Sequence, residues 1–71
     1  MEPFTKNING IEFKIQGQME GEDEICRVHV DNTSFKMTID ENGSWQIQQQ
    51  VPRWIKNLES ELAKAIDETY C

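Results

Sequence analysis

The residue types that carry chemistry are scarce in this chain. It holds one histidine and two cysteines in 71 residues, and none of the spacings Gly-x-Ser-x-Gly, Cys-x-x-Cys or His-Glu-x-x-His occurs. With no nucleophile-base constellation on offer, neither an enzyme nor a cofactor is expected. Cys26 and Cys71 are too few for the disulfide framework of a small secreted domain, so both are read as free thiols, Cys26 among core positions. Long apolar runs are also missing. No window approaches the ~20 apolar residues of a membrane span, and Met1-Glu-Pro-Phe-Thr-Lys6 lacks the apolar stretch of a secretory leader, which makes a cytoplasmic protein the expectation. Bases are few: 7 Lys and Arg against 13 Asp and Glu leave a net charge of −6. That balance disfavours phosphate backbones, whose binding is driven by cations displacing counterions, and disfavours anionic membranes and acidic substrates with them.

What is present suffices for one folded domain over residues 1–71. The 37% hydrophobic and 28% charged residues fit a globule rather than a disordered tail. A domain of this length buries a modest fraction of its surface, and oligomerisation is a common reinforcement.

The last third organises the rest. At ~100° per residue, Trp54, Ile55, Leu58, Leu62, Ala65, Ile66 and Thr69 fall on one arc, with Tyr70 just beyond it. This predicts a single helix over 52–70 with one buried face, starting at Pro52, a residue suited to a first turn. No Ser, Thr, Asp or Asn is placed there as a cap. Upstream, apolar residues alternate with polar ones. Ile11, Phe13 and Ile15 mark a strand running to about Met19; Cys26, Val28 and Val30 mark the next; Phe35, Met37 and Ile39 a third; Trp45 and Ile47 a fourth from Ser44 to Gln50. Residues 1–9 are an N-terminal segment or a short edge strand from Phe4 to Ile8, turning at Asn9-Gly10.

Register follows from turn chemistry. A two-residue turn at Asn32-Thr33 would set Val30 against Phe35, Val28 against Met37 and Cys26 against Ile39. A three-residue loop, Glu41-Asn42-Gly43, with Gly43 left-handed, pairs Ile39 with Trp45 and Met37 with Ile47. The fold expected is α+β, an antiparallel meander of four strands, or five, over residues 10–50, with the helix packed on one face. Ile11, Phe13, Ile15, Val28, Val30, Phe35, Met37, Ile39, Trp45 and Ile47 would then share the dry layer.

The uncovered face is the candidate site. It carries Lys14, Gln16, Arg27, His29, Lys36, Gln46 and Gln48, beside Glu12, Gln18, Ile25 and Thr38, and it is mildly positive although the chain is acidic. Such a face meets water or a partner. His29 reads as an exposed sheet residue. Glu20, Glu22, Asp23 and Glu24 form an acidic turn that is solvated or meets a basic partner. Thr38 to Ser44 echoes a calcium loop but has Thr38 and Gln49 at the first and twelfth ligand positions, so no metal is expected. Asn32-Thr-Ser34 and Asn42-Gly-Ser44 match the glycosylation sequon and are read as turns. A small-molecule site would require a cavity between helix and sheet near Trp45 and Trp54.

Two functions of different class follow. The first is a small non-enzymatic interaction module, a homodimer or the docking site of another protein, associating through the uncovered face or the edge strand 44–50. The second is a single-stranded nucleic-acid binder. The order of elements, four antiparallel strands then a helix, and the chain length are similar to those of the positive-cofactor-four type of single-stranded DNA binders. That resemblance implies a basic channel with exposed aromatics for base stacking; here Phe13, Phe35 and Trp45 occupy core positions and the helix surface is acidic.

Overall fold

A computed structural model describes residues 2–70. Its described residues form a five-stranded antiparallel sheet in the order β1-β2-β3-β4-β5, followed by two helices. The strands are β1 (Phe4–Ile8), β2 (Ile11–Glu20), β3 (Asp23–Val30), β4 (Thr33–Ile39) and β5 (Trp45–Ile47); the helices are α1 (Arg53–Lys56) and α2 (Glu59–Tyr70). The α+β meander therefore takes its five-stranded form. The question left at Cys71 lies outside the described residues.

Each hairpin is set by its turn. Asn9 and Gly10 adopt φ of 54° and 80°, the doubly left-handed turn whose twist matches the strands it joins. The Asn7 side chain accepts the Gly10 N–H at 3.0 Å. Pairing of Ile8 with Ile11 and of Phe4 with Ile15 then brings Phe4 and Ile8 onto the inner face. Between β4 and β5, Asp40 organises the loop as the spacing required. Its carboxylate accepts the Asn42 and Ser44 N–H groups, both at 2.9 Å, Gly43 sits at φ 82°, and Ile39 pairs with Trp45 and Met37 with Ile47.

The β3–β4 hairpin departs from expectation. Asp31 takes the positive φ, 52°, and the turn is Asp31-Asn32. Val30 therefore pairs with Thr33, Val28 with Phe35 and Cys26 with Met37. Moving the turn by one residue moves the pairing by two, which preserves the face of every side chain. Phe35 and Met37 stay in the dry layer. Ile39 does not, because the last β3–β4 pair is Ile25 with Thr38; it slides past Cys26 to the sheet's end and is 45% exposed.

The core comprises Ile8, Phe13, Ile15, Cys26, Val28, Val30, Phe35, Met37, Trp45 and Ile47 from the sheet and Ile55, Leu62 and Ile66 from the helices. Ile11 is half-buried against it. The single helix expected over 52–70 is interrupted at Asn57-Leu58. Pro52 offers no side-chain cap, and Leu58 donates to Ile55 O, three residues back, at 2.9 Å, a tightened turn that ends α1. The buried side is turned toward Ile66 and Tyr70, so Trp54 and Thr69, both expected inside, are exposed. Tyr70 closes the sandwich. Its ring meets Phe4 edge-on at 5.3 Å and its hydroxyl donates to Glu2 O at 2.6 Å. Burial raises the phenol above its usual range, opposed by a hydrogen bond from the Gly17 backbone.

Candidate interaction surfaces

The meander lays the outer face out in cross-strand rows. Lys14 pairs with His29, and His29 with Ser34. The next row runs Gln16, Arg27, Lys36, and Gln48 joins it through its N–H to Lys36 O at 3.0 Å. The third runs Gln18, Ile25, Thr38, Gln46. All seven candidate residues thus share one surface. Lys14, Gln16, His29 and Gln48 are exposed, and Arg27, Lys36 and Gln46 are half-buried.

Two features of that surface escaped the pattern. Arg27 and Lys36 stand directly opposite each other, a like-charge pairing that costs stability. Lys36 answers it by reaching diagonally across β3 to Glu20, at 3.0 Å. This ion pair passes over Ile25, which is 1% exposed although it faces away from the main core. The lysine stem shields the isoleucine while its ammonium stays wet. Lys36 is consequently spoken for, and Lys14 and Arg27 carry the positive character of the face. The balance of neighbouring outer-face residues was readable; a long side chain crossing a strand was not.

The sheet edges are both obstructed. Since Gln48 bonds inward to Lys36, alternation turns the backbone groups of Trp45 and Ile47 outward. The outward Ile47 N–H donates to the Glu59 carboxylate at 2.7 Å, and Lys56 reaches the same oxygen at 3.0 Å. The Ile47 N–H holds the Glu59 carboxyl below its usual range, with Lys56 acting in the same direction and partial burial opposing. The strand expected over 44–50 is three residues long and carries a carboxylate on its free side. At the other edge, alternation from the Ile8–Ile11 pair turns Thr5 and Asn7 outward. Lys6 stands opposite Phe13, an inner-face position where a charge discourages another strand from docking.

Chemistry elsewhere is limited. Cys26 is fully buried, and burial, helped by Glu24, pushes its thiol up to about 11. It is protonated and unreactive at neutral pH. His29 is exposed on the sheet. Among the described residues, no group of three or more His, Cys, Asp or Glu side chains could hold a metal ion, and no helix is long and apolar enough to cross a membrane. Trp45 and Trp54 face different surroundings: Trp45 lines a cleft with Glu59, Ser60 and Ala63, whereas Trp54 lies against Phe13, ring centres 6.5 Å apart.

Compared with protein-family models, curated proteins and solved structures, the chain matches none.

Proposed function

We propose that this protein is a non-enzymatic interaction module that docks another protein on the outer face of its sheet, around Arg27. The observation that carries this reading is the row Gln16–Arg27–Lys36–Gln48 beside Lys14–His29. It is a surface of amides around a guanidinium, on the side of the sheet away from the helices. Arg27 presents a planar fork suited to a carboxylate, and the glutamines offer donors and acceptors around it. The partner is a protein surface bearing Asp or Glu among polar residues.

The obstructed edges favour this face over strand addition through 44–50. A face-to-face homodimer is disfavoured by charge, because a two-fold axis through the middle of the face would bring Arg27 against its own copy. Stacking of nucleic-acid bases has little support on this surface, as Phe13, Phe35 and Trp45 belong to the core.

The test is a comparative capture with immobilised protein in three forms: unaltered, Arg27→Glu, and the helix-surface control Glu61→Lys. A partner retained by the first and third and lost from the second is expected. Identical retention by all three, or no saturable partner, overturns the reading. Binding of labelled single-stranded DNA at low salt, abolished by Arg27→Glu, would turn it to the nucleic-acid alternative.

A further inference from the structure

Three large apolar side chains among the described residues are strongly exposed: Met19 at 60%, Ile39 at 45% and Trp54 at 40%. They fall into two groups of opposite character. Met19 and Ile39 are the exposed apolar side chains of one groove of about 770 Å³ where β2, β3 and β4 end, which reaches Thr38 and Gln48 on the outer face and has Glu20, Glu22, Asp23 and Glu24 around the rim. The groove is a product of register: with Cys26 opposite Met37, the position beside Ile39 on β3 falls to Glu24, which also pairs with Met19. Lys36 also lines it but is bound to Glu20. Two exposed apolar side chains under a surplus of carboxylates suit an apolar group escorted by cations.

The chain carries such a group at its other end. Trp54 projects from α1 beside Arg53, and lies against Phe13, whose cross-strand partner is Lys6. Phe13 and Met19 are six residues apart on β2, roughly 20 Å at ~3.3 Å per residue. Indole and groove therefore occupy opposite ends of the sandwich and cannot meet within one copy.

We infer that the chain associates head to tail, the Trp54 end of one copy seating in the Met19–Ile39 groove of the next. The occupant is a second copy because the two surfaces match in both respects: an exposed indole against the exposed Met19 and Ile39 side chains, and Lys6 and Arg53 against Glu22, Asp23 and Glu24. Neither surface suits itself, since groove on groove sets carboxylates together and indole on indole sets cations together. The contact is heterologous, so each copy added leaves one indole and one groove free, and growth continues into a chain or closes as a ring. This goes beyond docking at Arg27: Lys36 and Gln48 border both sites, but Arg27 lines neither the groove nor the Trp54 end, so Arg27→Glu should leave the association unchanged.

Sedimentation velocity from micromolar to millimolar protein tests the inference. The weight-average mass should rise past that of two copies with concentration, and fall back with added salt, which screens the rim charges. Trp54→Glu and the double variant Met19→Lys with Ile39→Lys alter exposed side chains, and an unaltered circular dichroism spectrum selects folded samples. Each alone should sediment as a single copy. An equimolar mixture should form one-to-one pairs and nothing larger, because one variant keeps its groove and the other its indole. A wild-type monomer at millimolar concentration, continued association of Trp54→Glu, or a mixture that stays monomeric each overturns it.

Discussion

Removing the Glu59 carboxylate tests whether one side chain both secures the last strand and closes its edge. The group accepts the Ile47 N–H at 2.7 Å and the Lys56 ammonium at 3.0 Å through one oxygen. A hydrogen bond to a charged group contributes about 1.5–3 kcal/mol. The Glu59 side chain is 26% exposed, and solvent screening places it at the low end, about 1.5 kcal/mol. At ~4–8 °C per kcal/mol for a domain of this size, Glu59→Ala should lower the melting temperature by roughly 6–12 °C. Glu59→Gln keeps a neutral acceptor and should lose about half as much. The pH dependence supplies the sign. The carboxyl of Glu59 is held below its ordinary 4.5 in the folded chain, so its contribution is complete above that value and disappears as pH falls through the lower, folded one. Thermal melts followed by circular dichroism between neutral and strongly acidic pH should therefore show the variants converging on wild type at the acid end. A neutral-pH melt for Glu59→Ala within ~1 °C of wild type, or a gap that persists undiminished in acid, would refute the assignment. Freed of its carboxylate, β5 should also become an open edge, visible as turbidity that grows with protein concentration.

Other outcomes follow from the same packing. Ile25→Ala, on the outward face, should cost about 2–4 kcal/mol in chemical denaturation because the side chain is sealed beneath the Lys36–Glu20 pair, whereas Ile39→Ala, at an inward position, should cost under about 0.5; equal costs would contradict the register. In a Cys71→Ser background, Cys26 should resist a thiol reagent at pH 8 and react at the rate of global unfolding, with fast labelling of native protein as the contrary result. Asp31→Gly should be neutral or stabilising by up to about 1 kcal/mol, since glycine adopts positive φ without strain. A loss larger than that would argue against a turn at Asp31-Asn32.

How far the fold could be read in advance depended on which property carried each feature. Alternation has a period of two, so the inward set Phe13, Ile15, Val28, Phe35, Met37, Trp45 and Ile47 was legible residue by residue, as were the Asn9-Gly10 turn and the loop ending at Gly43. The β3–β4 register was not. Turns at Asp31-Asn32 and Asn32-Thr33 keep identical faces, so the hydrophobic pattern is blind to the difference, and only the φ of Asp31 separates them. The seven outer-face candidates were brought together as expected because rows follow from pairing, and a two-residue shift leaves them on the same side. The Lys36–Glu20 pair and the carboxylate on Ile47 involve partners 16 and 12 residues apart, and no local period encodes such distances.

The sequence alone determined an α+β meander with its helical segment on one face, because hydrophobic periodicity is a local property that any apolar layer will honour. Tertiary structure decided where that layer stops. It left Ile39 and Trp54 in solvent, sealed Ile25 on the outward side and broke the helix at Asn57-Leu58, because these outcomes depend on where one element ends relative to its neighbours. That relation is set by the shape of the whole sandwich, and no single segment contains it.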